Sequence, residues 1–135
     1  MSTPEARNAQ NLAMGYELNA AFDRAALDDG IKVIVLAAAD PHFSSGQGHF
    51  AREREIYLQN TRRWRNLVKP TIAAVQGRCI ASGLMLAWAC DLIVASDDAL
   101  FCDPVLTMGV CGGRVVRASL GAGCAQGQGV SLHRR

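Results

Sequence analysis

Hydrophobic positions recur at helical spacing near the start of the chain. They are Leu12, Met14, Leu18, Phe22 and Ala25, with Glu17 and Asp23 between them. The spacing predicts an amphipathic helix, entered by a loop over 4–11 and ended at Asp28-Asp29-Gly30 with Gly30 as its cap. Ile31 to Ala37 is a short β-branched run, the pattern of a buried strand in a parallel sheet. Asp40 to Gly48 is a loop of small and polar residues. Ala51 to Leu67 is a charged helix whose Tyr57, Thr61 and Trp64 share a face; its Arg/Glu mix reads as a solvated surface. Lys69-Pro70 stops it. Thr71 to Val75 is a second strand, Gly77 to Ser82 a turn and Gly83 to Cys90 a short apolar helix. Asp91 to Ala95 is a third strand and Ala99 to Phe101 a fourth. Strands alternating with helices predict an α/β domain with right-handed βαβ crossovers. From Gly113 onward the pattern stops: there is no hydrophobic period, no acidic residue and several glycines.

Composition narrows the class. The chain has 135 residues, the size of one ordinary domain. Half the residues are hydrophobic and 19% are charged, so the bulk is not disordered. A net charge of +2 is too mild to imply nucleic acid or an anionic membrane as partner. No apolar run approaches the ~20 residues of a membrane-crossing helix. The start, Met1 to Arg7, has no secretory pattern, so the expected compartment is the cytoplasm. The five cysteines show no C-x-x-C pair, which argues against a zinc or redox motif and for buried free thiols in a reducing compartment. No metal is expected.

Two loops follow strands and expose small residues: Phe43-Ser44-Ser45-Gly46 and Ile80-Ala81-Ser82-Gly83. In open α/β sheets ligands collect beyond the carboxyl ends of strands. Small residues let backbone N–H groups approach a ligand, and a helix N-terminus adds partial positive charge. Two such groups aimed at one point make an oxyanion hole; spacing alone equally describes two ordinary tight turns. Ser44, Ser45 and Ser82 are possible nucleophiles, but none sits in a G-x-S-x-G elbow. His42 and His49 flank the first loop and read as surface residues. Gly46-Gln47-Gly48 lacks the third glycine of a dinucleotide loop. Asp103, after the last strand, can face a site, whereas Asp91 reads as structural.

These residues make the chain recognisable. Pro4-Glu-Ala-Arg-Asn-Ala, IKVIVLAAADPHFSSG and KPTIAAVQGRCIASGLMLAWACDLIVASDDALF, ending at Asp103-Pro104, resemble the crotonase superfamily of enoyl-CoA hydratases and isomerases. The resemblance covers about residues 3–112. It implies a partial crotonase-like α/β fold, a ClpP/crotonase spiral of ββα units. It implies an acyl-CoA thioester as ligand, with coenzyme A present only as part of the substrate and no separate cofactor. In that family two backbone N–H groups hold the thioester oxygen and stabilise an enolate. The matching positions are Ser45 and Ser82, with Gly83 as the alternative second donor. Serine at 82 replaces the middle glycine of a Gly-rich turn and is strained there if the turn needs positive φ. Ala6, Arg7, Phe43, Ser45 and Gly46 would lie along the CoA nucleotide and pantetheine.

The departures bear on activity. The two glutamates that serve family hydratases as base and acid fall on Met85 and Val105. Neither can carry a proton, and such a group is worth roughly 10²–10⁴-fold in rate. Asp103 is the nearby substitute carboxylate. Hydratase activity is therefore expected to be weak or lost, the alternatives being a non-catalytic CoA-binding or assembly fragment and an unstable product of a decayed gene. The family's acidic residue after the first-loop glycine is Gly48 here, and the stretch from Gly46 to Lys69 is short. The leading β-hairpin and the C-terminal helices that build a homotrimer or hexamer are expected to be missing. When codons for residues 113–135 are written with free synonymous third bases and read one base later, V-E-L-F-A-H-P-W-E-L-G-A-R-K-A-K-E-F-L-F-T-G is allowed. That string resembles the family's next segment, so 113–135 is expected to be out-of-frame translation.

Overall fold

The computed structural model describes residues 1–46 and 59–104, and the backbone of 124–126. A 3-10 turn over Pro4–Ala6 leads into helix α1, Leu12–Leu27. The Asn11 side chain accepts the Met14 N–H, satisfying one of the donors a helix start leaves open. Met14 and Phe22 are the buried residues of α1, while Leu12, read as part of the buried face, lies exposed at its first turn. Gly30 is not the cap. Asp28 ends the helix in an extended conformation, its N–H bonded to the Arg24 carbonyl, and its carboxylate accepts the Gly30 N–H.

Strand β1 is Ile34–Leu36, shorter than the apolar run around it. The second helix, α2, is described over 59–65; the rest of the predicted helix, Tyr57 included, lies outside the described residues. Thr61 and Trp64 are buried as the spacing requires, and the arginines beside them are exposed or half-buried. The Trp64 ring packs on Phe22 at 5.4 Å between centroids, and its Nε1–H donates to Asn19. Then come β2 (Thr71–Val75), β3 (Arg78–Ile80), α3 (Ser82–Ala89), β4 (Leu92–Ala95) and β5 (Leu100–Cys102). Cys124–Gln126 form β6.

β3 changes the topology. The sequence reads 77–82 as one turn, but three of those residues pair with β5 in a second sheet. The chain leaves the first sheet at Val75, makes a strand of the second, passes through α3 and returns as β4. These are ββα units, not simple βαβ crossovers. The first sheet is wholly parallel in the order β1-β2-β4; the second runs β3-β5-β6, with β6 antiparallel. Three residues are too few to show a period, so only pairing with β5 reveals β3.

Register sets the core. Leu36, Ala73 and Ile93 lie side by side across the first sheet, all buried against Phe22, Trp64 and α3. The next row, Val35, Ile72 and Leu92, faces the other way, as the period of two requires. The starts of β2 and β4 are tied together by Asp91, whose carboxylate accepts the Thr71 N–H and hydroxyl, both at 2.9 Å. Asp91 is thus structural, as read. Cys79 and Cys90 are free and buried, but Cys102 is disulfide-bonded, which corrects the expectation of free thiols for that residue. No helix among the described residues is long and apolar enough to cross a membrane.

Candidate active site

The site begins at the N-terminal motif. Arg7 and Asn8 both take left-handed backbone angles, φ 54° and 51°, a region asparagine tolerates better than most residues. Asn8 is fully buried. Its Nδ2 donates to the Ala39 and His42 carbonyls at 2.7 Å each, and its Oδ1 accepts the Thr3 N–H at 2.9 Å. One side chain therefore fastens the turn Pro4–Ala6 to the stretch that follows β1. Two backbone bonds extend the seam: Ser45 N–H donates to Arg7 C=O at 3.0 Å, and Gln10 N–H to Gly46 C=O at 2.7 Å.

The first loop then runs beside β3. Ser44 N–H donates to Arg78 C=O at 3.1 Å, and Ile80 N–H to Ser44 C=O at 2.9 Å. The second loop meets the first at its end. Ala81 N–H donates to Cys102 C=O at 2.9 Å, which joins the turn to the end of β5. Gly46 has φ 105°, and a Cβ built on it would lie 3.2 Å from the Ala81 Cβ. A Cβ on Gly83 would lie 2.7 Å from the Ser44 Cβ and 2.8 Å from the Ser44 carbonyl oxygen. No side chain fits there, so glycine lets the start of α3 touch the loop backbone. The first-turn N–H groups of a helix have no partner within the helix, and the helix dipole makes that end electropositive. The start of α3, packed on the first loop, is therefore an electropositive end suited to a carbonyl oxygen.

Each predicted residue has a definite place. Ser82 and Gly83 are buried and open α3. The strained position is Ala81, at φ 50° and ψ −116°, rather than Ser82, which is helical. Ser45 is corrected as a donor: its N–H is engaged by Arg7 and holds the motif to the loop. The next amide, on Gly46, lies 3.3 Å from Ser44 Oγ. Phe43 is also corrected, because it is 0% exposed within the core and offers no surface to a ligand. Ala6 and Arg7 are exposed beside Ser45, and Gly46 is buried. Met85 is buried in α3. Asp103 follows Cys102, whose carbonyl holds Ala81, so its backbone is close to the α3 entrance. Val105, Gly48 and His49 lie outside the described residues. His42 is half-buried and accepts the Arg78 N–H through Nδ1 at 3.3 Å. Burial pushes the thiols of Cys79 and Cys90 up to about 12, far from a reactive thiolate. The Asn8–Ser44 link was not legible beforehand, because nothing in the spacing joins residues 36 apart.

Comparison with known proteins gives this geometry a family. The enoyl-CoA hydratase/isomerase family model matches residues 1–122. EchA13 of Mycobacterium tuberculosis, which carries an enoyl-CoA hydratase name, is 41% identical over 83% of this chain and 46% of its own length. The 2,3-dehydroadipyl-CoA hydratase of Escherichia coli is 35% identical, over 84% of this chain and 48% of its own. The crystal structure of a probable enoyl-CoA hydratase from Mycobacterium smegmatis superposes with a TM-score of 0.76 and 54% identity, covering 82% of this chain and 49% of that one. The chain belongs to the enoyl-CoA hydratase/isomerase family of the crotonase superfamily, and its two sheets and ββα units are part of that fold. It spans about half the length of the curated relatives it matches.

Proposed function

We propose that this chain binds an acyl-CoA thioester and polarises its carbonyl between a first-loop N–H and a first-turn N–H of α3, on Ser82 or Gly83. The single observation that carries this reading is the contact of Gly83 with Ser44, which brings loop and helix start within van der Waals distance. The names of the relatives support the ligand class. Such a donor pair stabilises the enolate common to hydration and isomerisation. Ala6 and Arg7 line the CoA end, and the reading needs no cofactor beyond the CoA of the substrate.

Hydration is expected to be weak or absent. Met85 supplies a thioether where a carboxylate would move a proton, and it lies buried beside the α3 entrance. Calorimetry with crotonyl-CoA is expected to show binding, with little turnover in a coupled hydration assay. Absence of binding to any CoA ester by a folded chain overturns the reading. Any residual turnover is assigned to Asp103 and should be lost in Asp103→Ala; turnover that survives this change removes Asp103 as the proton carrier. The second reading is a CoA-binding or assembly fragment, or an unstable product. It is favoured by the exposure of Val35 and Val94 on the face of the first sheet that has no cover among the described residues.

A further inference from the structure

We propose that the cleft lined by His42, Gly77, Arg78, Asp98 and Leu100 is a second ligand site, built for a small zwitterion of the amino-acid class. This site is additional to the acyl-CoA reading and uses none of the residues that carry it. The cleft holds about 380 Å³. It lies where the three parallel strands of the first sheet end: His42 is reached from β1, Gly77 from β2 and Asp98 from β4. Ligands collect beyond that edge of an open α/β sheet. Arg78 and Leu100 begin β3 and β5, which pair in parallel and reach the α3 entrance at their far ends, Ile80 and Cys102. The cleft and the acyl-CoA site are therefore at opposite ends of the same two strands.

Glycine at 77 lets the segments around the cleft close on one another. Its φ is 54°, and a Cβ there would stand 2.2 Å from the Pro41 carbonyl oxygen and 2.7 Å from His42 Nδ1. The Leu100 N–H donates to the Gly77 carbonyl at 2.7 Å, and the Phe43 N–H to that of Gln76 at 2.9 Å. Each polar group is thereby given one task. His42 Nδ1 accepts the Arg78 N–H at 3.3 Å, so the neutral ring carries its proton on Nε2. Nε2 is then a donor, not a metal ligand or a base. The Ser96 hydroxyl, and after it the Gly77 N–H, hold the Asp98 carboxyl below the usual carboxylate range, so it stands as an anion. The Arg78 guanidinium shares the cleft with Asp98 and forms no ion pair with it. A cation and an anion left unpaired in one cleft select by charge. Asp98 repels a phosphate or a dicarboxylate, and Arg78 repels a simple amine. A ligand carrying both charges meets both. Its carboxylate takes Arg78 and His42 Nε2–H, its ammonium takes Asp98, and its apolar part rests on Leu100. Both charged side chains are exposed, so the affinity expected is on the order of millimolar.

Nuclear magnetic resonance on the full chain tests this, with L-leucine as the probe. Leucine is expected to move the amide signals of Gly77, Arg78 and Leu100 saturably. Isocaproate is leucine without the ammonium, and isoamylamine is leucine without the carboxylate. Each should bind about tenfold more weakly, the worth of one charge-assisted hydrogen bond. No saturable shift with leucine overturns the proposal. So does isocaproate binding as well as leucine, which would make the cleft a plain anion site. Isoamylamine binding as well as leucine would make it a plain cation site and is equally fatal. Asp98→Asn should lower leucine affinity about tenfold without weakening isocaproate. Arg78→Met, at an exposed position, should lower leucine affinity by a similar factor without weakening isoamylamine. Undiminished leucine binding in either variant overturns the proposal, and if D98N does not fold, R78M decides alone. A chain that binds leucine but no CoA ester keeps this site and loses only the acyl-CoA reading.

Discussion

At the scale of single residues, the site stores strain at Ala81. A φ of 50° with ψ of −116° is the first central position of a II′ turn, where glycine dominates because a Cβ crowds the backbone. Such a residue costs on the order of 1–3 kcal/mol, and glycine gives back part of that gain through a freer unfolded chain. Ala81→Gly is therefore expected to stabilise the chain by about 1 kcal/mol net, read as a higher urea midpoint at unchanged slope. A lower midpoint would show that the turn is comfortable as it stands. The turn's need for a glycine was legible from the sequence, but its position was not. The motif pointed to Ser82, and the structure moves the strain one residue earlier because Ser82 already belongs to α3. Ser45 went astray for a similar reason. Its place in the loop was read well enough, but where its N–H points depends on Arg7, 38 residues earlier and joined to it only in three dimensions.

At the scale of elements, the long periodic and apolar segments declared themselves. α1, β2, β4 and α3 lie where hydrophobic spacing puts them, within a residue or two at their ends. β3 did not, since its three residues carry no pattern and their conformation is imposed by β5. That strand also buries Cys79, and the end of α3 buries Cys90. Each thiol is raised by burial from an ordinary 9.0 to about 12; at Cys90 a hydrogen bond from Thr71 opposes this and the Asp91 charge adds to it. The sign follows from which state sheds protons first. Between pH 9 and 12 the unfolded thiols ionise while the folded ones stay neutral, so unfolding gains. The stabilisation is whole below pH 9 and is lost as pH climbs towards 12, at up to about 1.4 kcal/mol per pH unit per thiol. Denaturant titrations across this range should show the fall, and Cys79→Ala or Cys90→Ala should each flatten it. An unchanged pH slope in both variants would mean that the thiols are not the cause.

At the scale of the whole molecule, the first sheet has one face in the core and one without cover among the described residues. Val35 and Val94 are 59% and 60% exposed, on a parallel sheet of the kind found with both faces covered, and Val33, just before β1, is 45% exposed. The chain spans about half the length of its relatives, and the row Val35, Ile72 and Leu92 has the apolar character of a face meant for packing. Replacing Val35 and Val94 together by Thr should reduce dye binding to exposed apolar surface and self-association in sedimentation, while leaving the buried row Leu36, Ala73 and Ile93 intact. Equal association in the double variant would place the sticky surface elsewhere. The family match ends at residue 122, inside the stretch where hydrophobic patterning stops. We propose that residues 113–135 are read out of frame, because the outer bases of every codon permit the family-like string one base later. The DNA of the gene decides this with no protein in hand. Third bases that spell the G-A-R-K-A-K-E segment along the shifted frame are expected. Synonymous choices that break it, or a stop in that frame, would leave the glycine-rich stretch as a divergent tail whose residues Cys124–Gln126 extend the second sheet in their own right.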